Sequence, residues 1–129
     1  MRLFFAFIAL IGLGILTGCN SEPGPKKYDV SGTVQYDGQP IAEGDILFAS
    51  EDKSIGPEGG KIKDGKFTMK AREGKNRVEI RGTRVVPGKK GSMGEDFIES
   101  FIPEKYNTKT ELTADVGSGK TTHNFDLKK

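Results

Sequence analysis

Residues 60–70 read GKIKDGKFTMK, and the alternation within that stretch sets the fold class. Ile62 stands between lysines before Asp64-Gly65, and Phe67 and Met69 alternate with polar residues after it. A period of two puts such residues on one face of a pleated ribbon. Asp-Gly between two alternating runs is a hairpin signal, because the tight turn needs positive φ at both central residues and these two types tolerate it. Residues 60–70 are therefore expected to form two antiparallel strands joined by a tight turn.

The same grammar extends in both directions. Upstream, Val30, Val34 and Tyr36 share a parity that ends at Asp37-Gly38, and Ile46 and Phe48 alternate in DILFAS. Downstream, Val78 and Ile80 alternate after a turn at Glu73-Gly74-Lys75. Leu112, Ala114 and Val116 follow, then Phe125 and Leu127, with Gly117-Ser118-Gly119 between them as the expected last hairpin loop. Lys61, Lys63, Glu79, Arg81 and Asp126 occupy intervening positions, as strands with one wet face require. Short strands, frequent turn signals and no long helical period predict an all-β fold. The expectation is a seven-stranded (six to eight) antiparallel β-sandwich, prealbumin- or immunoglobulin-like. Residues 86–107 depart from the pattern. Phe97, Ile98, Phe101 and Ile102 have a spacing that suits one short helical turn near 96–102, stopped by Pro103. The Gly/Lys-rich residues 88–94 before them read as a mobile loop.

The N-terminal region has a different chemistry. Met1-Arg2 gives a short positive start, and residues 3–16 (LFFAFIALIGLGIL) are 14 uncharged residues. A membrane-spanning helix needs about 20, so this run reads as the core of an export signal. Leu16-Thr17-Gly18-Cys19 at its end resembles the bacterial lipobox. That resemblance implies that the Cys19 thiol is alkylated with diacylglycerol and becomes the first residue of the mature chain. Cys19 is the only cysteine; lipidation uses its thiol without requiring a disulfide partner. Each buried methylene of such an anchor adds about 0.8 kcal/mol.

The expected organisation is a lipoprotein signal peptide at 1–18, a lipidated tether at 19–27 and a β-sandwich domain at 28–129. Residues 20–27 (NSEPGPKK) hold two prolines, a glycine and no large apolar side chain. They reach at most roughly 25 Å at about 3.3 Å per residue. The expected location is the cell envelope, lipid-anchored to a membrane at the periplasmic or outer face, with the bilayer engaged through acylated Cys19.

Composition excludes some function classes. Setting Arg2 aside leaves 19 Lys+Arg against 18 Asp+Glu, a balance that gives no electrostatic case for nucleic acid. Residues 117–122 (GSGKTT) resemble the end of a phosphate-binding loop, but the motif's first glycine falls at Ala114 and a strand pattern follows. A hairpin turn is the better reading, and no nucleotide is expected. His123 is the only histidine, which leaves no His-pair metal site, and it shares parity with Phe125 and Leu127. It reads as a half-buried strand residue. Carboxylates gather at Glu51-Asp52 with Glu58 and at Glu95-Asp96 with Glu99, without the alternating loop of a dedicated calcium site. Tryptophan is absent, so an aromatic platform for sugars is hard to assemble. No catalytic residue, metal or cofactor is expected.

Several segments carry a family likeness. Val30-Ser31-Gly32-Thr33-Val34, Asp37-Gly38-Gln39-Pro40-Ile41, Ile46-Leu47-Phe48, Gly65-Lys66-Phe67 and residues 74–80 (GKNRVEI) resemble the strands of carboxypeptidase regulatory-like, transthyretin-like (prealbumin-like) sandwiches. Ile102-Pro103-Glu104-Lys105-Tyr106-Asn107, Leu112-Thr113 and Asn124-Phe125-Asp126-Leu127 resemble small lipoproteins of the planctomycete type. Asn76-Arg77 stands where that pattern often has an aromatic. The resemblance implies a fold and leaves function to be argued from a site. The expectation is a membrane-anchored cell-envelope lipoprotein with a non-enzymatic β-sandwich interaction or structural module and an envelope protein partner. The alternative is a small-ligand or glycan-binding envelope domain using the 88–96 loop.

Overall fold

The structure, a computed structural model, describes Gly18 and residues 24–129. The expected signal peptide, Gly18 aside, together with Cys19 and the first part of the tether, lies outside the described residues. Nine strands follow in chain order: β1 (Lys27–Tyr36), β2 (Gln39–Pro40), β3 (Glu43–Ser50), β4 (Glu58–Lys63), β5 (Lys66–Arg72), β6 (Gly74–Lys90), β7 (Asp96–Ser100), β8 (Thr113–Val116) and β9 (Phe125–Leu127). Among the described residues no helix is long and apolar enough to cross a membrane.

The hairpin at 60–70 forms as expected, with Ile62 opposite Phe67 and Lys63 opposite Lys66. Asp64 and Gly65 take φ of 51° and 73°, and Asp37 and Gly38 take 49° and 80° between β1 and β2. The strand order is β2-β1-β5-β4-β3-β6-β7, with β8 on β6 and β9 on β1. Four inter-strand steps separate β9 from β3, roughly 19 Å across a flat sheet. Yet the rings of Phe48 on β3 and Phe125 on β9 meet edge to face at 6.4 Å. Tyr36 on β1 likewise meets Phe101 beyond β7 at 5.8 Å. The strands therefore fold over on themselves, sandwich-like, around Val30, Val34, Ile46, Phe48, Phe67, Val78, Ile80 and Leu127, all buried.

Four details differ from the sequence expectation. The short helical turn expected near 96–102 stands instead at Glu104–Tyr106, and 96–100 is strand. Phe97, Ile98, Phe101 and Ile102 fit either period, and pairing with the β-branched run on β6 decides it. A one-turn helix has little of its own to oppose a ladder. Residues 88–90, expected in a loose loop, are the end of β6.

The third difference is at the C-terminus. Residues 117–120 do make a tight turn, with Lys120 N–H donating to the Gly117 carbonyl at 2.9 Å. However, β8 pairs with β6, while β9 pairs with β1 in parallel, so the turn joins two strands that do not pair and the fold is not wholly antiparallel. Gly32 makes the parallel contact possible, because any side chain there would overlap the His123 carbonyl oxygen. Ser31 and residues 121–123 then exchange two backbone hydrogen bonds of 2.9 Å.

The fourth is Asn76. Noted from the sequence only as a polar residue in a strand where an aromatic often stands, it is fully buried, and its amide donates to the Arg72 and Gly74 carbonyls at 2.9 Å each. The side chain closes the β5–β6 turn, satisfying its own polarity as burial demands.

Candidate functional site

β6 is long enough to belong to two different environments. Eight of its residues run beside β3, from Ser50 opposite Asn76 to Glu43 opposite Thr83. There β3 ends, and beyond Thr83 the chain has only β7 for a neighbour: Arg84 faces Glu99, Val85 faces Ile98 and Lys90 faces Asp96. Five steps on β6 match two on β7 between the last two pairs, so residues 86–89 bulge. Pro87, which lacks an N–H, and Gly88, at φ 76°, lie within the bulge. The result is a two-stranded arm that leaves the body of the sheet.

The arm is held by local contacts. The Arg84 guanidinium pairs with Glu99 at 2.7 Å and lies over the Phe101 ring. The Lys90 ammonium pairs with Asp96 at 2.6 Å. The Lys89 ammonium sits 3.7 Å from the centre of the Phe97 ring. At the tip, Gly91 N–H donates to the Glu95 carbonyl and Met93 N–H donates to the Glu95 carboxylate, both at 2.9 Å.

Those contacts leave apolar groups of the arm wet, with Val85 and Ile98 on the face that also carries Asp96. Val85 is 51% exposed, its cross-strand partner Ile98 60% and Met93 at the tip 92%. These are the exposed large hydrophobic residues among the described ones, and all three lie on the arm. The expected 88–96 contact loop falls within this element. The apolar groups that mark it flank that loop: Val85 was not singled out from the sequence, and Ile98 was read only as part of a helical turn. A run of Val85-Val86 facing a β-capable DFIES segment was the available signal.

The arm lies at the opposite end of the strands from the tether. β1 begins at Lys27 opposite Arg72, and Gly74 opens β6 at that same end. Lys27 and Arg72 both pair with Glu58, at 3.2 and 3.3 Å, which fixes the entry of the chain into the domain.

The remaining candidate residues have structural occupations. Lys120, in the GSGKTT turn, pairs with Asp115 at 2.7 Å. That hydrogen bond, with the carboxylate's charge, raises the lysine's pKa. An extended segment follows, so no helix N-terminus is aimed at a phosphate there. His123 is half-buried, its ring edge to face with Phe48 at 5.9 Å and its Nε2 3.1 Å from the Lys120 carbonyl. Asp52 accepts hydrogen bonds from the Ser54 hydroxyl and N–H, which hold its carboxyl below the usual range. Among the described residues no three His, Cys, Asp or Glu side chains converge on a point where a metal ion could bind.

Two open hollows lie elsewhere on the surface. One, about 520 Å³, is floored by Leu47, Gly59 and Gly60, and the cations beside it are already paired, Lys61 with Asp45 and Arg81 with Glu79. The other, about 620 Å³, lies at the tether end between Glu51, Lys53, Lys75, Arg77 and Glu111. The Ile102–Asn107 segment is likewise structural. The Tyr106 hydroxyl donates to the Lys128 carbonyl and accepts from the Lys128 N–H, both at 2.9 Å, clasping the residue after β9.

No family model matches the chain, and no curated protein matches it. Among solved structures it is similar to a DUF3823 family protein from Parabacteroides merdae ATCC 43184, with 17% identity and a TM-score of 0.41. That alignment covers 81% of this chain and 46% of the other. It is also similar to a 9R-lipoxygenase from Cyanothece PCC8801, with 13% identity and a TM-score of 0.35, over 80% of this chain and 16% of that one. The chain thus spans less than half the length of either structure.

Proposed function

We propose that this chain is a membrane-anchored, non-enzymatic lipoprotein of the cell envelope whose β-sandwich domain presents an interaction surface on the β6–β7 arm. The observation that carries this reading is the polarity of the domain. The chain enters at Lys27 beside Arg72 and Glu58, a few residues after Cys19, and the exposed apolar face of Val85, Ile98 and Met93 lies at the other end of β6. A tether of at most roughly 25 Å keeps the first end near a bilayer and leaves the arm clear of it.

Exposed apolar residues grouped on one element of a well-packed domain mark a contact site more often than chance. The charged candidates for chemistry are tied up in pairs of their own, which supports a binding role over catalysis. A glycan reading of the 88–96 loop draws less support, because Phe97, the aromatic nearest that loop, is already covered by Lys89.

The test of the anchor is metabolic labelling with a fatty acid in a bacterial host. Wild-type chain recovered labelled from membranes, with Cys19→Ala unlabelled and released or left as precursor, is the expected outcome. Unlabelled wild-type chain overturns it.

A further inference from the structure

The outer edge of the arm has a chemistry more specific than exposure. Among the described residues β7 pairs with β6 and with no other strand, so its second edge offers backbone N–H and C=O groups to solvent. Natural edges of this kind are blunted by charged side chains of either sign and by short length, most often with lysine or proline. From Gly91 to Ile102 there is neither; the charges there are Glu95, Asp96 and Glu99. The arm's cations, Arg84, Lys89 and Lys90, stand one strand further in, on β6 or over the Phe97 ring. The rim carries the acids and the strand behind it the cations, so that a cation on an added strand would share Asp96 with Lys90 and Glu99 with Arg84.

We infer that the free edge of β7 accepts an extended, basic strand from another protein, adding it to the sheet with an apolar residue against Ile98 and Lys or Arg against Asp96 and Glu99. Strand addition draws affinity from main-chain hydrogen bonds and specificity from alternate side chains. Residues directly opposite across such a pair have Cβ atoms about 4.5–5.5 Å apart, close enough for charge and β-branched packing to count. One face of the added strand meets Asp96, Ile98 and Ser100, and the other meets Phe97 and Glu99. A second copy of this chain fits less well. Antiparallel self-pairing about Ile98 matches that residue with itself, but sets Asp96 against Ser100 and Glu99 against Phe97, so neither acid gains a cation on the adjoining strand. The inference rests on reading the domain as an interaction module and does not depend on the anchor, so a labelling failure at Cys19 leaves it standing and its own failure leaves the anchor standing.

The full chain, purified in detergent, is titrated into two fluorescent synthetic peptides, one with a valine set to face Ile98 and lysines set to face Asp96 and Glu99, and one with glutamates in place of those lysines. The basic peptide is expected to bind and the acidic one not. The double variant Asp96→Lys, Glu99→Lys is expected to weaken the basic peptide at least ~10-fold, about 1.4 kcal/mol, and to bind the acidic one instead. Ile98→Lys, which keeps the strand and removes the apolar anchor, weakens the basic peptide as well. Unchanged far-UV spectra show that the variants fold. Equal binding of both peptides, no binding, or undiminished binding to the double variant overturns the inference. So does sedimentation of the free chain as a dimer that Ile98→Lys dissociates, which assigns the edge to a second copy.

Discussion

One strand, β6, runs through both the most buried and the most exposed parts of the domain. Between Asn76 and Ile80 it has β3 on one side and, through Arg77, β8 on the other, and its inward residues Val78 and Ile80 are fully buried. Five residues beyond Ile80 its only neighbour is β7, and Val85 stands half in water beside Ile98. The backbone is extended in both places. What differs is the number of neighbours, and with it the burial of apolar surface that makes a sheet stable; a hairpin of two strands alone is marginal in water.

The body should therefore respond to truncation and the arm should not. Phe48→Ala removes a fully buried ring that touches Phe67, Phe125 and His123, and is expected to cost about 3–5 kcal/mol in denaturant unfolding. Ile98→Ser on the arm is expected to fall within about 0.5 kcal/mol of wild type. Equal losses at the two sites would show that the arm is part of the cooperative unit.

Much of the body was legible because its signals are local. Asp64-Gly65 and Asp37-Gly38 carry their turn chemistry in two residues, and the alternation around them fixes which face is buried. The parallel seating of β9 was not legible. It depends on Gly32 leaving room for His123, a contact across about ninety residues of chain that no local pattern encodes. The arm was misread for a related reason: Phe97, Ile98, Phe101 and Ile102 satisfy a helical and a strand period alike, and only the distant Val85 decides between them. The 88–96 segment was raised from the sequence as a contact surface, but the exposure of its apolar flanks follows from where β3 stops, which is a tertiary fact.

That seating gives the next largest test. Gly32→Ala drives a methyl group into the His123 carbonyl oxygen and is expected to cost about 1–3 kcal/mol or more, by overpacking and by separating β1 from β9. Serine or alanine at Gly38, where a Cβ meets nothing within 4 Å, isolates the cost of positive φ from the cost of the clash. If both positions lose the same amount, close approach is not what Gly32 provides.

Tyr106→Phe is expected to have a smaller effect. It removes one hydroxyl that makes two hydrogen bonds to the Lys128 backbone while leaving the ring in place. A loss of about 0.5–1.5 kcal/mol is expected, because the freed backbone groups are near the surface and regain water. A loss as large as that at Phe48 would move this clasp into the core of the domain's stability.

The smallest change in global stability, and the sharpest division within β6, should appear in amide hydrogen exchange. Amides that pair β3 with residues 76–83 open only with most of the domain, whereas those from Arg84 to Ser100 need release only each other. Protection is expected to fall by at least ~10-fold across Thr83, about 1.4 kcal/mol in opening free energy, with no drop at Asn76. Saturation with the basic peptide should then raise protection on β7 and leave residues 43–50 as they were, since a strand added at the outer edge ties down the arm without touching the core. Uniform protection along β6 in the free chain would remove the distinction between arm and body, and with it the reason for seeking a partner there.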